Sequence, residues 1–292
     1  MKIQFLGTAA AEGTPAVFCA CDMCRYAREK GGRELRTRSG AIIDDKIKID
    51  FGPDSYHHAL KNGLDYSRVR SLFITHTHSD HFQAMEIACR QPPYAHALPD
   101  DPPMTVYGNE TVGRKLAPFL GDQTLFHPLK PFDSVETEGY RVTALEAVHC
   151  ISLDPNAGNP IAHDGEVYNR TEEALFYMIE KDGESILYAH DTDEFTPADM
   201  AFLAGKKIDI ISMDCTNGHL ELDYVGHMGI RENIRMREKL LDIGAADEHT
   251  LFIANHFSHN GLLPYEEMKK RLPGFLVSFD SMTAETGKKI AE

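Results

Sequence analysis

Short continuous apolar runs, closed by turn-forming residues, recur along this chain and predict buried strands rather than half-exposed ones. The alternating start Lys2-Ile3-Gln4-Phe5-Leu6 predicts a first strand over 2–6, followed by a small-residue loop over 7–15. Two further strand-like runs flank Asp44-Asp45 within 41–51 and end in Asp50-Phe51-Gly52. Strands are also predicted over 72–75, 104–107, 141–148, 174–180, 185–189, 208–213, 251–254 and 274–279. Lys181-Asp182-Gly183-Glu184 separates two of them, and its Asp-Gly pair predicts a tight hairpin.

Helical periodicity appears over 82–90, where Phe82, Met85, Ile87 and Ala88 fall near one face. It recurs over 111–120, 197–204, 231–243 and 265–272. The prolines of 92–103 remove backbone donors and predict a loop or lid edge. His57-His58 reads as a surface pair on a helix. Strand-rich segments alternate with helices in both halves, with no internal repeat and no low-complexity linker. Two packed sheets with helices outside, in a single domain over 1–292, is the expected organisation.

Composition narrows the partners. The formal net charge is −15, with acidic residues spread along the chain. That disfavours nucleic acid or an anionic membrane surface, since phosphate contacts need clustered Lys and Arg. The N-terminus reads as a strand rather than an export signal, and no apolar run approaches the ~20 residues that span a bilayer. A cytoplasmic protein without a membrane partner is expected. Of six cysteines, Cys19, Cys21 and Cys24 are bunched, which points to metal ligation more than to disulfides. Cys89, Cys150 and Cys215 read as core or near-core thiols.

The chemistry concentrates in Thr75-His76-Thr77-His78-Ser79-Asp80-His81, directly after the apolar run Ser71-Leu72-Phe73-Ile74. Imidazole and carboxylate suit zinc, manganese or iron. In an extended segment alternate residues share a face, so His76 and His78 can grip one ion. Asp80 and His81 follow as the chain turns and can face a second. Three more candidates stand where predicted strands end: His149 after Val148, Asp191 after His190, and His256 after Asn255. His190, beside Asp191, reads as supporting or structural rather than as a ligand.

This ordered set, His-x-His-x-Asp-His followed by a later His, Asp and His, resembles the metallo-β-lactamase superfamily over nearly the whole chain. The resemblance implies an α/β, four-layer αββα sandwich with a dinuclear site at the edge between the sheets. It implies one divalent ion held by His76, His78 and His149, a second by Asp80, His81 and His256, and Asp191 bridging both. Such a pair, of zinc, manganese or iron, activates a bridging water as hydroxide, and Asp80 can also orient that nucleophile.

Cys19-Ala20-Cys21-Asp22-Met23-Cys24 offers three sulfur ligands, and a structural zinc wants four. His259, three residues after His256, is the candidate fourth, within a Cys-rich zinc loop spanning about 15–30. An early Cys-x-Cys-x-x-Cys with a late His-x-x-His is similar to the PhnP-like group, the phosphoribosyl cyclic phosphodiesterases. Arg38-Ser39-Gly40, Met213-Asp214-Cys215 and the stretch from Gly274 to Met282 match that group too. The resemblance implies a general-acid histidine between Cys215 and the next helix; His227 matches best, and His219 competes. It also implies a homodimer. The chain departs from the group at 152–172, an insertion-like segment that follows His149 and reads either as a lid or pocket-shaping element or as an inert surface loop.

The expected activity is therefore a dinuclear metal-dependent phosphodiesterase acting on a small linear or cyclic phosphodiester. The rivals are a lactone or thioester hydrolase, a tRNA 3′-processing nuclease of the same fold and, outside catalysis, a metal-binding protein.

Overall fold

The computed structural model describes residues 1–96, 102–154, 156–222 and 225–287. Part of the proline-rich stretch, Pro155 within the insertion-like segment, and Asp223-Tyr224 ahead of His227 lie outside the described residues. The first half of the chain contributes β1 (Lys2–Gly7), α1 (Asp22–Lys30), β2 (Gly40–Ile43), β3 (Ile47–Ile49), α2 (Ser55–Asn62), β4 (Ser71–Phe73), α3 (Ala84–Ala88), β5 (Met104–Gly108), α4 (Glu110–Leu116), β6 (Thr124–Pro128) and β7 (Ser134–Thr137). The second half adds β8 (Tyr140–Glu146), β9 (Pro160–His163), β10 (Glu166–Asn169), β11 (Leu175–Lys181), β12 (Glu184–Ala189), α5 (Pro197–Leu203), β13 (Ile210–Asp214), α6 (Ile230–Asp242), β14 (Leu251–Asn255), α7 (Tyr265–Arg271), β15 (Leu276–Val277) and β16 (Thr283–Glu285).

Among the described residues these strands form two seven-stranded sheets and a separate hairpin. The first sheet runs β16-β1-β2-β3-β4-β5-β6 and the second β15-β14-β13-β12-β11-β8-β7. Within them β3 to β6 and β12 to β15 pair in parallel, and inner strands such as β13 and β14, buried on both faces, read as nearly unbroken apolar runs. The sheets pack face to face through Ile3, Phe5, Ile43, Ile49 and Phe73 on one side and Val142, Tyr177, Ile179 and Ile186 on the other. Outside the second sheet, Leu203 of α5, Met236 and Leu240 of α6 and Met268 of α7 bury against Leu187, Ile211 and Phe252. Outside the first, Ile87 of α3 with Val112 and Leu116 of α4 covers Leu72 and Val106. The result is the expected αββα sandwich.

Local chemistry sets the element ends. Asp182 and Gly183 both take positive φ between β11 and β12, as a two-residue hairpin turn requires. Thr196 and Asp199 form a reciprocal capping box at α5, with Pro197 in its first turn. Asn109 caps α4 by accepting from Thr111 and Val112 N–H.

Several expectations need correction. The helix expected over 82–90 is only α3, because Phe82 pairs by backbone with Phe51 and delays the helical start. Met85 is 71% exposed and does not share the buried face of Ile87. His58 is not a surface residue: it is buried, and its Nε2 lies 2.8 Å from Thr37 Oγ1. Helix α1 and strands β6, β7 and β16 were not visible in the apolar pattern. The 152–172 segment carries the β9–β10 hairpin, anchored at its base by buried Arg170, which pairs with Glu146 at 3.0 Å. No helix among the described residues is long and apolar enough to cross a membrane.

Phe73 lies at the centre of the inter-sheet core, stacked on Tyr107 at 4.5 Å and edge-on to Tyr177 at 5.2 Å. Phe73→Ala is expected to destabilise the fold by about 3–5 kcal/mol, the cost of a large aromatic cavity. A lower urea midpoint with unchanged slope would show it.

Candidate metal centre

The strands that cross the inter-sheet core end at one edge, and the candidate ligands stand just beyond those ends. His76, His78, Asp80 and His81 follow β4, Asp191 follows β12 and His256 follows β14. His149 follows β8 after two further buried residues. Asp191 and His256 adopt left-handed backbone, φ 51° and 60°, as do neighbouring Asp50 and Cys150 at 57° and 56°. Such conformations are costly away from glycine and concentrate where side-chain direction matters. Here they turn each chain sharply at the sheet edge.

The histidines converge in two groups. His78 Nδ1 lies 2.9 Å from His76 Nε2 and 3.2 Å from His149 Nε2. In the other group His81 Nε2 lies 3.0 Å from Asp80 Oδ2, and the ligand atoms of Asp80, His81 and His256 sit within 4.8 Å of one another. Asp191 stands between the groups. Its Oδ1 is 3.5 Å from His149 Nε2, while Oδ2 is 2.8 Å from His81 Nε2 and 2.9 Å from His256 Nε2. One oxygen thus faces each group, the arrangement a bridging carboxylate needs.

The donor set fits metal ions by a direct test. His81 Nε2, Asp191 Oδ2 and His256 Nε2 are buried yet make no hydrogen bond, despite their closeness. Buried polar atoms are normally bonded; atoms that approach one another without hydrogen-bond alignment are aimed at a common point. The far nitrogens, by contrast, are anchored. His81 Nδ1 is 2.7 Å from Asp50 Oδ2, His149 Nδ1 is 3.0 Å from the Gly226 carbonyl, and His256 Nδ1 is 2.8 Å from Thr216 Oγ1. Such outer contacts fix the tautomer and orient a ligating ring.

Electrostatics divides the groups. Burial holds His76 well below the usual imidazole range and His149 down to about 3, so these rings are neutral donors. Burial acts in the same direction on His256, but Asp191 and Asp214 outweigh it and push that imidazole up to about 10. His81 is raised likewise by Asp191, Asp80 and Asp50 against its burial. Asp80 is held down to about 2: burial opposes its charge, and His81 prevails.

Two residues that sequence reasoning undervalued organise this edge. Asp214, fully buried at the end of β13, accepts from Asp191 N–H at 3.0 Å and Met228 N–H at 3.1 Å. Its Oδ2 also lies 3.1 Å from His227 Nδ1. Asp50 takes His81 Nδ1, Thr75 N–H and the Thr75 hydroxyl. Both stood in the stretches Asp50-Phe51-Gly52 and Met213-Asp214-Cys215, and a lone carboxylate closing an apolar run was the available signal. Cys150, read as a near-core thiol, is buried and has its Sγ 3.9 Å from His78 Nε2.

The two candidate histidines before α6 separate clearly. The His227 ring lies 4.7 Å from that of His149, with Nδ1 3.9 Å from Asp191 Oδ1. His219 instead has its Nδ1 held 2.8 Å from the Gly261 carbonyl. His190 faces the core, 2.7 Å from Ser212 Oγ.

Cys19, Cys21, Cys24 and His259 also come together, with ligand atoms within 4.8 Å of one another. His259 Nδ1 lies 3.5 Å from Cys21 Sγ and 3.8 Å from Cys19 Sγ. Cys21 caps α1, and the backbone N–H of Cys24 leads the effects that lower its thiol to about 6. Burial pushes Cys24 the other way, to about 11. All six cysteines are free of disulfide bonds.

Residues 46–252 match the family model described as a beta-lactamase superfamily domain. A crystal structure described as a new diphosphatase from the PhnP family aligns over 97% of both chains, at 22% identity and a TM-score of 0.73. Zn²⁺-bound PqqB from Methylobacterium extorquens aligns over 98% of this chain and 100% of its own, at 17% identity and a TM-score of 0.73. At these identities the likeness is one of fold. Ribonuclease Z of Lactiplantibacillus plantarum is 25% identical over 159 residues, 53% of this chain. The chain spans less than half the length of the curated relatives it matches, 17% and 45%.

Asp191→Ala is expected to reduce the metal held at the strand-edge cluster to at most one ion per chain and to abolish hydrolysis, by elemental analysis and assay. Cys21→Ser is expected to weaken metal binding at the cysteine cluster and lower the melting temperature while leaving metal binding at the strand-edge cluster unchanged, by elemental analysis and thermal melts.

Proposed function

The chain belongs to the metallo-β-lactamase superfamily of metal-dependent hydrolases, and on that premise we propose that it hydrolyses a small phosphodiester, linear or cyclic. The observation that carries the reading is the pairing of two ligand groups across Asp191 with a His227–Asp214 couple beside them. His76, His78 and His149 would hold one divalent ion, Asp80, His81 and His256 another, with Asp191 between. Zinc, manganese and iron all suit this set. When bound, two such ions lower the pKa of a shared water and offset charge developing on the attacked centre.

The remaining steps fall to side chains. Asp80, buried within the second group, also orients the attacking water. His227 serves as general acid: with Nδ1 tied to Asp214, its other nitrogen delivers a proton to the departing alkoxide. Burial alone would lower the pKa of His227, but Asp214 followed by Asp191 raises it, favouring the protonated form that an acid needs. The Cys19, Cys21, Cys24 and His259 cluster would hold a structural zinc that ties the N-terminal loop to the segment after His256.

The names of the diphosphatase and the ribonuclease support action at phosphorus. A net charge of −15 argues against a long polyanionic RNA and favours a small substrate. Six unpaired cysteines fit a reducing, cytoplasmic setting. We extend the proposal to one hydrolase domain over 1–292, acting as a homodimer.

The test is a screen of metal-analysed protein against bis(p-nitrophenyl) phosphate, cyclic phosphodiesters, pre-tRNA, thioesters and lactones. Turnover of thioesters or lactones alone would overturn the reading, and cleavage of pre-tRNA alone would favour the nuclease. His227→Ala should retain metal yet slow cleavage of an alkyl phosphodiester by about 10²–10⁴-fold. A p-nitrophenyl ester, whose leaving group needs no proton, should be much less affected. Equal rates on the alkyl substrate would reject His227 as the acid.

A further inference from the structure

Glu172 is buried at the end of the 152–172 segment, just before β11, and its contacts run back to the centre of the histidine motif. Its Oε1 accepts from Thr77 N–H at 3.0 Å and from the Thr77 hydroxyl at 2.6 Å. Its Oε2 accepts from Asn109 Nδ2 at 3.1 Å. Thr77 lies between His76 and His78, and alternation along an extended segment turns it away from the face they share. Holding both its amide and its hydroxyl therefore fixes the short backbone piece that sets the angle between the two imidazoles. The same hydroxyl accepts from Lys115 of α4, whose Nζ lies 2.5 Å away. Asn109 has its oxygen committed to capping α4, and its Nδ2 donates both to Glu172 Oε2 and, at 2.9 Å, to the Glu173 carbonyl, tying this end of the segment to α4.

We propose that Glu172 is a positioning residue for the metal centre, holding His76 and His78 in ligating geometry through Thr77 and linking the 152–172 segment to that geometry. This rests on reading His76 and His78 as metal ligands. It gives the segment a role at its base that is independent of whether its hairpin covers the pocket.

The test uses the full chain and measures metal affinity by chelator competition, the absorption spectrum of the Co²⁺-loaded protein and the melting temperature. Glu172→Ala is expected to weaken the strand-edge cluster by about 10–100-fold, as loss of an outer contact does, and to change the Co²⁺ spectrum. The cysteine cluster should keep its affinity and serve as an internal reference. Glu172→Gln can still accept from Thr77 with one oxygen while losing the Asn109 contact, so it should recover most of the affinity and the wild-type spectrum. Thr77→Val, which removes one of the two bonds, should weaken binding by roughly 3–10-fold, and it decides the matter if Glu172→Ala does not fold. Wild-type affinity and spectrum in Glu172→Ala would overturn the proposal, as would a Glu172→Gln variant as impaired as the alanine one. These measurements need no substrate, so they stand apart from the phosphodiester assay. Metal-loaded protein that turns over no phosphodiester refutes the proposed reaction and leaves the role of Glu172 intact.

Discussion

The centre depends on one buried anion, the Asp191 carboxylate, set between two groups of imidazoles. An isolated charge in this position would be strongly unfavourable. Burial does oppose it, yet His256 and His81 hold its pKa well below the usual carboxylate range. Because one oxygen faces His149 and the other faces His81 and His256, a single side chain sets the separation of the two groups. The left-handed turn at Asp191 and the hold of Asp214 on its backbone N–H keep it there.

Around that anion lies a ring of supporting acceptors, each from a different part of the sandwich. Asp50 comes from the end of β3 in the first sheet and Asp214 from β13 in the second. Glu172 comes from the segment entering β11. The site is thus made where both sheets end together, and its rigidity derives from the packed layers behind it. Phe73 illustrates the connection: it fills the inter-sheet core three residues before His76, so the strand that carries the motif is fixed by packing. The cysteine cluster extends the same logic, because His259 is only three residues from His256.

Much of the fold was legible because parallel strands buried on both faces leave unbroken apolar runs, as in β13 and β14. Strands β6 and β7 lie at the sheet edge and carry exposed residues, so they left no such run. Helix α1 was hidden because it is polar and begins on a cysteine cap. His58 misled because its neighbour His57 is exposed, and only the approach of Thr37 makes its burial favourable.

The order and spacing of the histidines, aspartates and cysteines by themselves determined the family-like ligand pattern, since ligand type and periodicity are local properties. Which of His219 and His227 stands beside the cluster was decided only by the path of the chain after β13, which places one against Gly261 and the other against Asp214. The supporting roles of Asp214 and Glu172 were decided in the same way. Their partners lie tens of residues away along the chain, and a buried carboxylate has no sequence signature until folding brings the donors that make its burial tolerable.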